Sequence, residues 1–168
     1  MTTPILAGMR ATADRINDAH PRTIAYAAIT SNTSGSSSTA DTAWVTTGAV
    51  TFRTGRAYRM TLKALIQGSP ADKATLRIRK TNTSGSVYLD TFHQGIQVSN
   101  SNTLIYASNI CVNTTGADVT ATALVGTWSR SNGNAAPVLV AASTTHVAYV
   151  QVEDIGIAAD FPSATPIT

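Results

Sequence analysis

Arg56-Ala-Tyr-Arg-Met-Thr-Leu-Lys-Ala-Leu-Ile-Gln67 decides the fold. Tyr58, Met60, Leu62, Ala64 and Ile66 fall on one side of an alternating pattern. Arg59, Thr61, Lys63 and Gln67 fall on the other, and Leu65 is the exception. A strand places successive side chains on opposite faces, so this alternation predicts a half-buried antiparallel strand. Lys73 to Lys80 repeats the logic, with Ala74, Leu76 and Ile78 facing in and Thr75, Arg77 and Arg79 facing out. Weaker versions of the pattern run over 23–31, 43–53, 86–93, 103–113, 118–128, 137–142 and 145–155. The expectation is about nine strands.

Turn chemistry separates them. Asn32-Thr-Ser-Gly35, Asn82-Thr-Ser-Gly85 and Asn113-Thr-Thr-Gly116 are three copies of one local motif. Asn and Gly tolerate positive φ, and the hydroxyls can bond nearby backbone. Their unequal spacing makes them turns, not a domain repeat. Thr54-Gly55 predicts a tight hairpin between a strand ending at Arg53 and one starting at Arg56. Many short strands with closely spaced turns point to an all-β protein, a jelly-roll-like antiparallel β-sandwich.

Both ends depart from the pattern. Thr12 can cap a short helix over 13–19, with Asp14 in its first turn and Pro21 stopping it. Ala13, Ile16 and Ala19 make a narrow apolar stripe, and so short a helix must dock on something. The last residues, with Pro162 and Pro166, read as an extended arm without strand pairing of its own. The expected division is an N-terminal arm over 1–22, a sandwich over 23–156 and a C-terminal arm over 157–168.

Composition limits the function. The 168 residues suit one domain, and 43% are hydrophobic, enough for a packed core. Only 12% are charged, about half the usual share. The surface is therefore rich in Thr, Ser, Asn, Gly and Ala, with little electrostatic repulsion, which suits a protein assembled with neighbours. The net charge of +3 reflects a shortage of acids, among which Glu153 is the single glutamate. No run of five basic residues exists, so nucleic acid is not expected as a partner. No apolar run approaches membrane-spanning length, and Met1 to Arg10 does not read as a signal peptide. Synthesis in a cytoplasm is expected. Cys111 is the only cysteine, so no intrachain disulfide forms.

Chemistry-bearing constellations are missing. His20, His93 and His146 are far apart in sequence and match no metal motif, so no metal or other cofactor is expected. Glu153 and Asp154 are adjacent in a strand and point to opposite faces, so they cannot pair in one cleft. Cys111 lies in an apolar strand and reads as a small buried hydrophobe. No nucleophile elbow or phosphate-binding glycine loop occurs. An enzyme is not expected. Rings could serve a carbohydrate: Trp44 and Trp128 are the candidates, with Tyr88, Tyr106 and Tyr149 behind them. The competing reading puts both tryptophans in the core.

The opening Ala7-Gly-Met-Arg-Ala-Thr-Ala-Asp-Arg-Ile-Asn-Asp-Ala19 resembles the start of small bacteriophage virion proteins of head-decoration, head-fibre and minor-tail type, particularly from phages of actinobacteria. The closing Val152-Glu-Asp-Ile-Gly156 and the Thr/Ser/Ala/Gly-rich body are similar to the same group. The resemblance implies a virion location and a homo-oligomer, most simply a homotrimer. It also implies an N-terminal attachment to the major capsid protein or a tail protein. Met9, Arg10, Arg15 and Ile16 would carry that anchor, with the two arginines pairing acidic residues of the shell. A capsid decoration protein is the first reading. A tail or fibre protein of the same virion, or an adhesion module for a host-surface glycan, are the alternatives.

Overall fold

The computed structural model describes residues 20–69, 72–92, 94–95, 102–132 and 138–168. The expected N-terminal helix over 13–19 lies outside them. The described residues form strands β1 (Arg22–Ile29), β2 (Thr42–Thr46), β3 (Val50–Phe52), β4 (Arg56–Gln67), β5 (Lys73–Lys80), β6 (Val87–Asp90) and β7 (Gln94–Gly95). They continue with β8 (Thr103–Val112), β9 (Val119–Ala121), β10 (Leu124–Asn132), β11 (Leu139–Ala141), β12 (Ala148–Ile157) and β13 (Thr165–Pro166). One 3-10 turn, Ala158–Asp160, precedes β13. The protein is an all-β, jelly-roll-like sandwich.

The larger sheet has the order β1-β12-β4-β8-β13, with β11 sharing an edge of β4 with β12. The smaller has the order β2-β10-β5-β6, with β7 beside β5. Strand β4 lies between β12 and β8 and buries the side that its alternation marked, although Thr61 on the other side is buried as well. Tyr58, Met60, Leu62, Ala64 and Ile66 are all buried, while Arg59 is exposed and Lys63, Leu65 and Gln67 are half-buried. Met60, Leu62, Val150 and Val152 face Leu76, Ile78, Leu124 and Trp128 across one continuous core. Phe52 meets the rings of Tyr58 and Tyr88 edge-on at 5.0 and 5.9 Å, closing one end of that core.

Two expected strands are each broken in two. The 43–53 segment splits into β2 and β3, and the 118–128 segment into β9 and β10. The breaks face each other. β2 pairs with β10, β3 pairs with β9, and the Thr47 N–H donates to the Leu124 carbonyl between them at 2.9 Å. The Thr47 hydroxyl also accepts the Leu124 N–H and donates to the Gly48 carbonyl, so a side chain replaces ladder bonds where the ribbon bends.

The hairpin expected at Thr54-Gly55 is corrected. β3 does not pair with β4, so this turn carries the chain from one sheet to another. Gly55 has φ +70° there, and its backbone bonds Asn113 and Ala158. The asparagine turns behave as their chemistry requires. Asn113 is fully buried yet satisfied, donating to the carbonyls of Phe52 and Ala117 and accepting from Thr115. Asn32 and Asn82 accept from the N–H groups of Ala142 and Ser84.

The C-terminal tail is a second correction, because it does pair. β13 runs parallel to β8, on the sheet edge where a proline is tolerated. The Ile167 N–H then donates to the Val112 carbonyl at 2.8 Å, and the Ile167 side chain is fully buried in the core. Thr168 accepts from Lys80 and from the Tyr88 hydroxyl, both of the smaller sheet. The tail thus fastens the two sheets together. Its apolar isoleucine supplies the burial that a proline-rich arm would otherwise lack.

Candidate binding face

The outward side of the larger sheet is where this molecule departs from a simple polar-out pattern. Register aligns Ala28, Tyr149, Lys63 and Tyr106 in one row across β1, β12, β4 and β8. The next row is Tyr26, Gln151, Thr61 and Ser108. On the other side of Lys63, Leu65 stands opposite Leu104. Tyr26, Leu104 and Tyr106 are 55%, 56% and 64% exposed, values far from those of rings in a core. Tyr149 is half-buried between them.

The rings are neighbours. Tyr26 and Tyr149 lie 5.6 Å apart, tilted by 33°. Burial, and then the neighbouring Tyr106, Tyr26 and Glu153, raise the Tyr149 hydroxyl above its ordinary pKa. One row further on, Arg59 and Glu153 pair at 3.6 Å, both in part exposed. Lys63, between Tyr149 and Tyr106, has no carboxylate partner among the described residues. At each end the face runs into a cleft. One is lined by Asn32, Gln67, Ser143 and His146 beside Leu65. The other is lined by Arg59, Ile110, Phe161 and Ala164. Gln151 donates to the Thr23 hydroxyl at 3.0 Å and adds polar groups between the rings.

Charge elsewhere serves the fold. Asp41 ties Arg77 and Arg79 together on the smaller sheet, and Arg77 also binds Asp90 at 2.7 Å. Burial alone would raise Asp41, but hydrogen bonds from Arg79 and Ser129 and the charges of Arg77 and Arg79 bring its carboxyl below the usual value. Glu153 and Asp154 point to opposite faces as expected. Glu153 goes to Arg59, and Asp154 takes the Arg56 guanidinium at 2.7 Å.

The residues singled out from sequence are dispersed. Met9, Arg10, Arg15 and Ile16 lie outside the described residues, as does His93. Trp44 and Trp128 are 6% and 1% exposed and belong to the core, so as candidate ligand rings they are corrected: neither has an open face for a sugar. Tyr88 is buried too, and burial pushes its hydroxyl up to about 12. Tyr106 and Tyr149 remain, and the fold brings them together with Tyr26, Lys63 and Leu104. Sequence reading missed those three because an outward position is fixed by register against neighbours, which alternation alone does not supply. Among the described residues, no three His, Cys, Asp or Glu side chains converge to hold a metal ion.

The class that this architecture defines is a jelly-roll-like β-sandwich, and chains in solved virus structures share its fold. A chain in the structure of infectious bursal disease virus, Gt strain, matches 95% of this chain with a TM-score of 0.53 at 11% identity. A chain of the Gx strain matches 82% with a TM-score of 0.50 at 13% identity. The matched region covers 37% and 32% of those chains, so this protein spans about a third of their length. At such identities the likeness is one of fold. A xylan-binding domain from Paenibacillus barcinonensis aligns with a TM-score of only 0.29, which carries no argument. No protein-family model matches the chain, and no curated protein matches it in sequence.

Proposed function

We propose that the chain is a non-enzymatic structural protein of a virus particle. The observation that carries this reading is the fold, shared with a chain of a virus particle over 95% of the length. The sparse charge supports it, because a neutral Thr/Ser/Ala-rich surface loses little by being covered in an assembly. The finer reading is a head-decoration protein of an actinobacterial phage that binds the capsid shell as a homotrimer. It rests on Ala7 to Asn17 and on Val152-Glu-Asp-Ile-Gly156. Residues 1–22, with Met9, Arg10, Arg15 and Ile16, would anchor it to the major capsid protein, and the sandwich would project outward. Stability would then depend on assembly as well as on the core.

Three measurements test this. Quantitative mass spectrometry of purified particles should find the protein in hundreds of copies; a few to a few dozen would place it in the tail. Deleting residues 1–20 should leave a folded sandwich that no longer joins particles. If the truncated chain still occupies capsids fully, the anchor lies elsewhere. Light scattering of the full chain should give three times the monomer mass.

A further inference from the structure

The face formed by Tyr26, Tyr149, Lys63 and Tyr106 is unlike either a solvated sheet face or a dry subunit contact. A solvated face has no need of three tyrosines, two of them more than half exposed. A subunit contact concentrates apolar residues at its centre and is depleted of charge there. Here a lysine stands at the centre, and the carboxylate on the face, Glu153, is engaged by Arg59. A second copy laid on the face about a two-fold axis would bring Lys63 and Arg59 towards their own counterparts, and like charges directly opposite are unfavourable. An occupant with a negative charge of its own would supply Lys63 with the partner that this face lacks.

The rest of the face describes that occupant. Ring faces are negative and attract polarised C–H groups, so each tyrosine offers a stacking place for a flat, weakly apolar surface. Gln151, Ser108 and Gln67 stand between and beyond the rings and supply amide and hydroxyl groups. Tyr149 and Tyr106 are two strand spacings apart, about 10 Å. From Arg59 to Gln67 the face runs for about 27 Å along β4, with a cleft at each end. A sugar chain combines these properties: apolar C–H faces, hydroxyl edges and an extended form.

We propose that this face binds an acidic glycan, with its sugar rings stacked on Tyr106, Tyr149 and Tyr26 and a carboxylate paired to Lys63. The proposal does not depend on the virion reading, because its test uses the isolated full-length protein.

Hexagalacturonic acid is the probe, and the same hexamer fully methyl-esterified is its control. Isothermal titration should show binding of the acid and about tenfold weaker binding of the ester. Tyr106→Ala and Tyr149→Ala should each weaken the acid by about tenfold, and Lys63→Gln should bring acid and ester to the same affinity. Tyr106 and Lys63 lie outside the core, so their variants should melt with the wild type; they decide the matter if Tyr149→Ala unfolds. Equal affinity for acid and ester would overturn the proposal, as would binding that ignores the tyrosine substitutions. So would the absence of binding at millimolar concentration to hexagalacturonate, a hyaluronan hexamer and oligosialic acid alike. A homo-oligomer dissociated by Tyr106→Arg would overturn it as well, by assigning the face to a second copy.

Discussion

Ile167→Ala tests whether the C-terminal tail is part of the sandwich. Ile167 is fully buried, and its N–H is bonded to Val112 at 2.8 Å. The substitution keeps that backbone bond and removes three buried carbons from a site walled by two sheets. Isoleucine-to-alanine changes in packed cores cost about 2–5 kcal/mol, through lost transfer energy and the cavity left behind. A loss of about 3 kcal/mol is expected, a large share of the roughly 5–15 kcal/mol that holds a domain together. For a chain of this size that lowers Tm by about 6–12 °C. Urea unfolding followed by the fluorescence of buried Trp44 and Trp128 would measure it. The control is Ser163→Ala, at an exposed position of the same tail, expected within about 0.5 kcal/mol of wild type. A loss below about 1 kcal/mol for Ile167→Ala would refute the reasoning, since a tail lying loosely on the surface has little burial to lose.

Other perturbations follow from the same geometry. A Cβ on Gly126 would stand 2.6 Å from Val45 Cγ1 and 2.9 Å from Trp44 Cε2, so Gly126→Ala should cost about 1–3 kcal/mol in urea unfolding. Cys111 is buried and its thiol is pushed up to about 12, so a thiol-reactive dye at pH 8 should label it only after denaturation. Asp41 has its folded pKa lowered, so its contribution to stability is complete above the ordinary value of 3.8 and is lost as pH falls through the lower folded value. Asp41→Asn should therefore flatten the acid limb of the stability curve, read as Tm between pH 5 and pH 2, and leave its slope near neutrality unchanged.

Legibility followed the range of the forces involved. Alternation over Arg56–Gln67 and Lys73–Lys80 specified strands and their buried sides, because the period of a strand is local. The asparagine turns were legible for the same reason: Asn113 and Thr115 bond each other and the backbone nearby. The burial of Trp44 and Trp128 was one of two readings the sequence allowed, and packing chose it. The breaks at Thr47 and Thr122 were not legible, since each follows from a partner strand that bends at the same place.

The amino-acid order alone determined that this chain is a sandwich of alternating strands and short of charge. Tertiary structure decided which strands pair, that the tail enters the core through Ile167, and that Tyr26, Tyr149 and Tyr106 surround Lys63. Those residues are up to 123 positions apart in the chain, since Tyr26 and Tyr149 lie on β1 and β12. Their meeting depends on inter-strand register, a long-range property that hydrophobic alternation constrains only to the correct face.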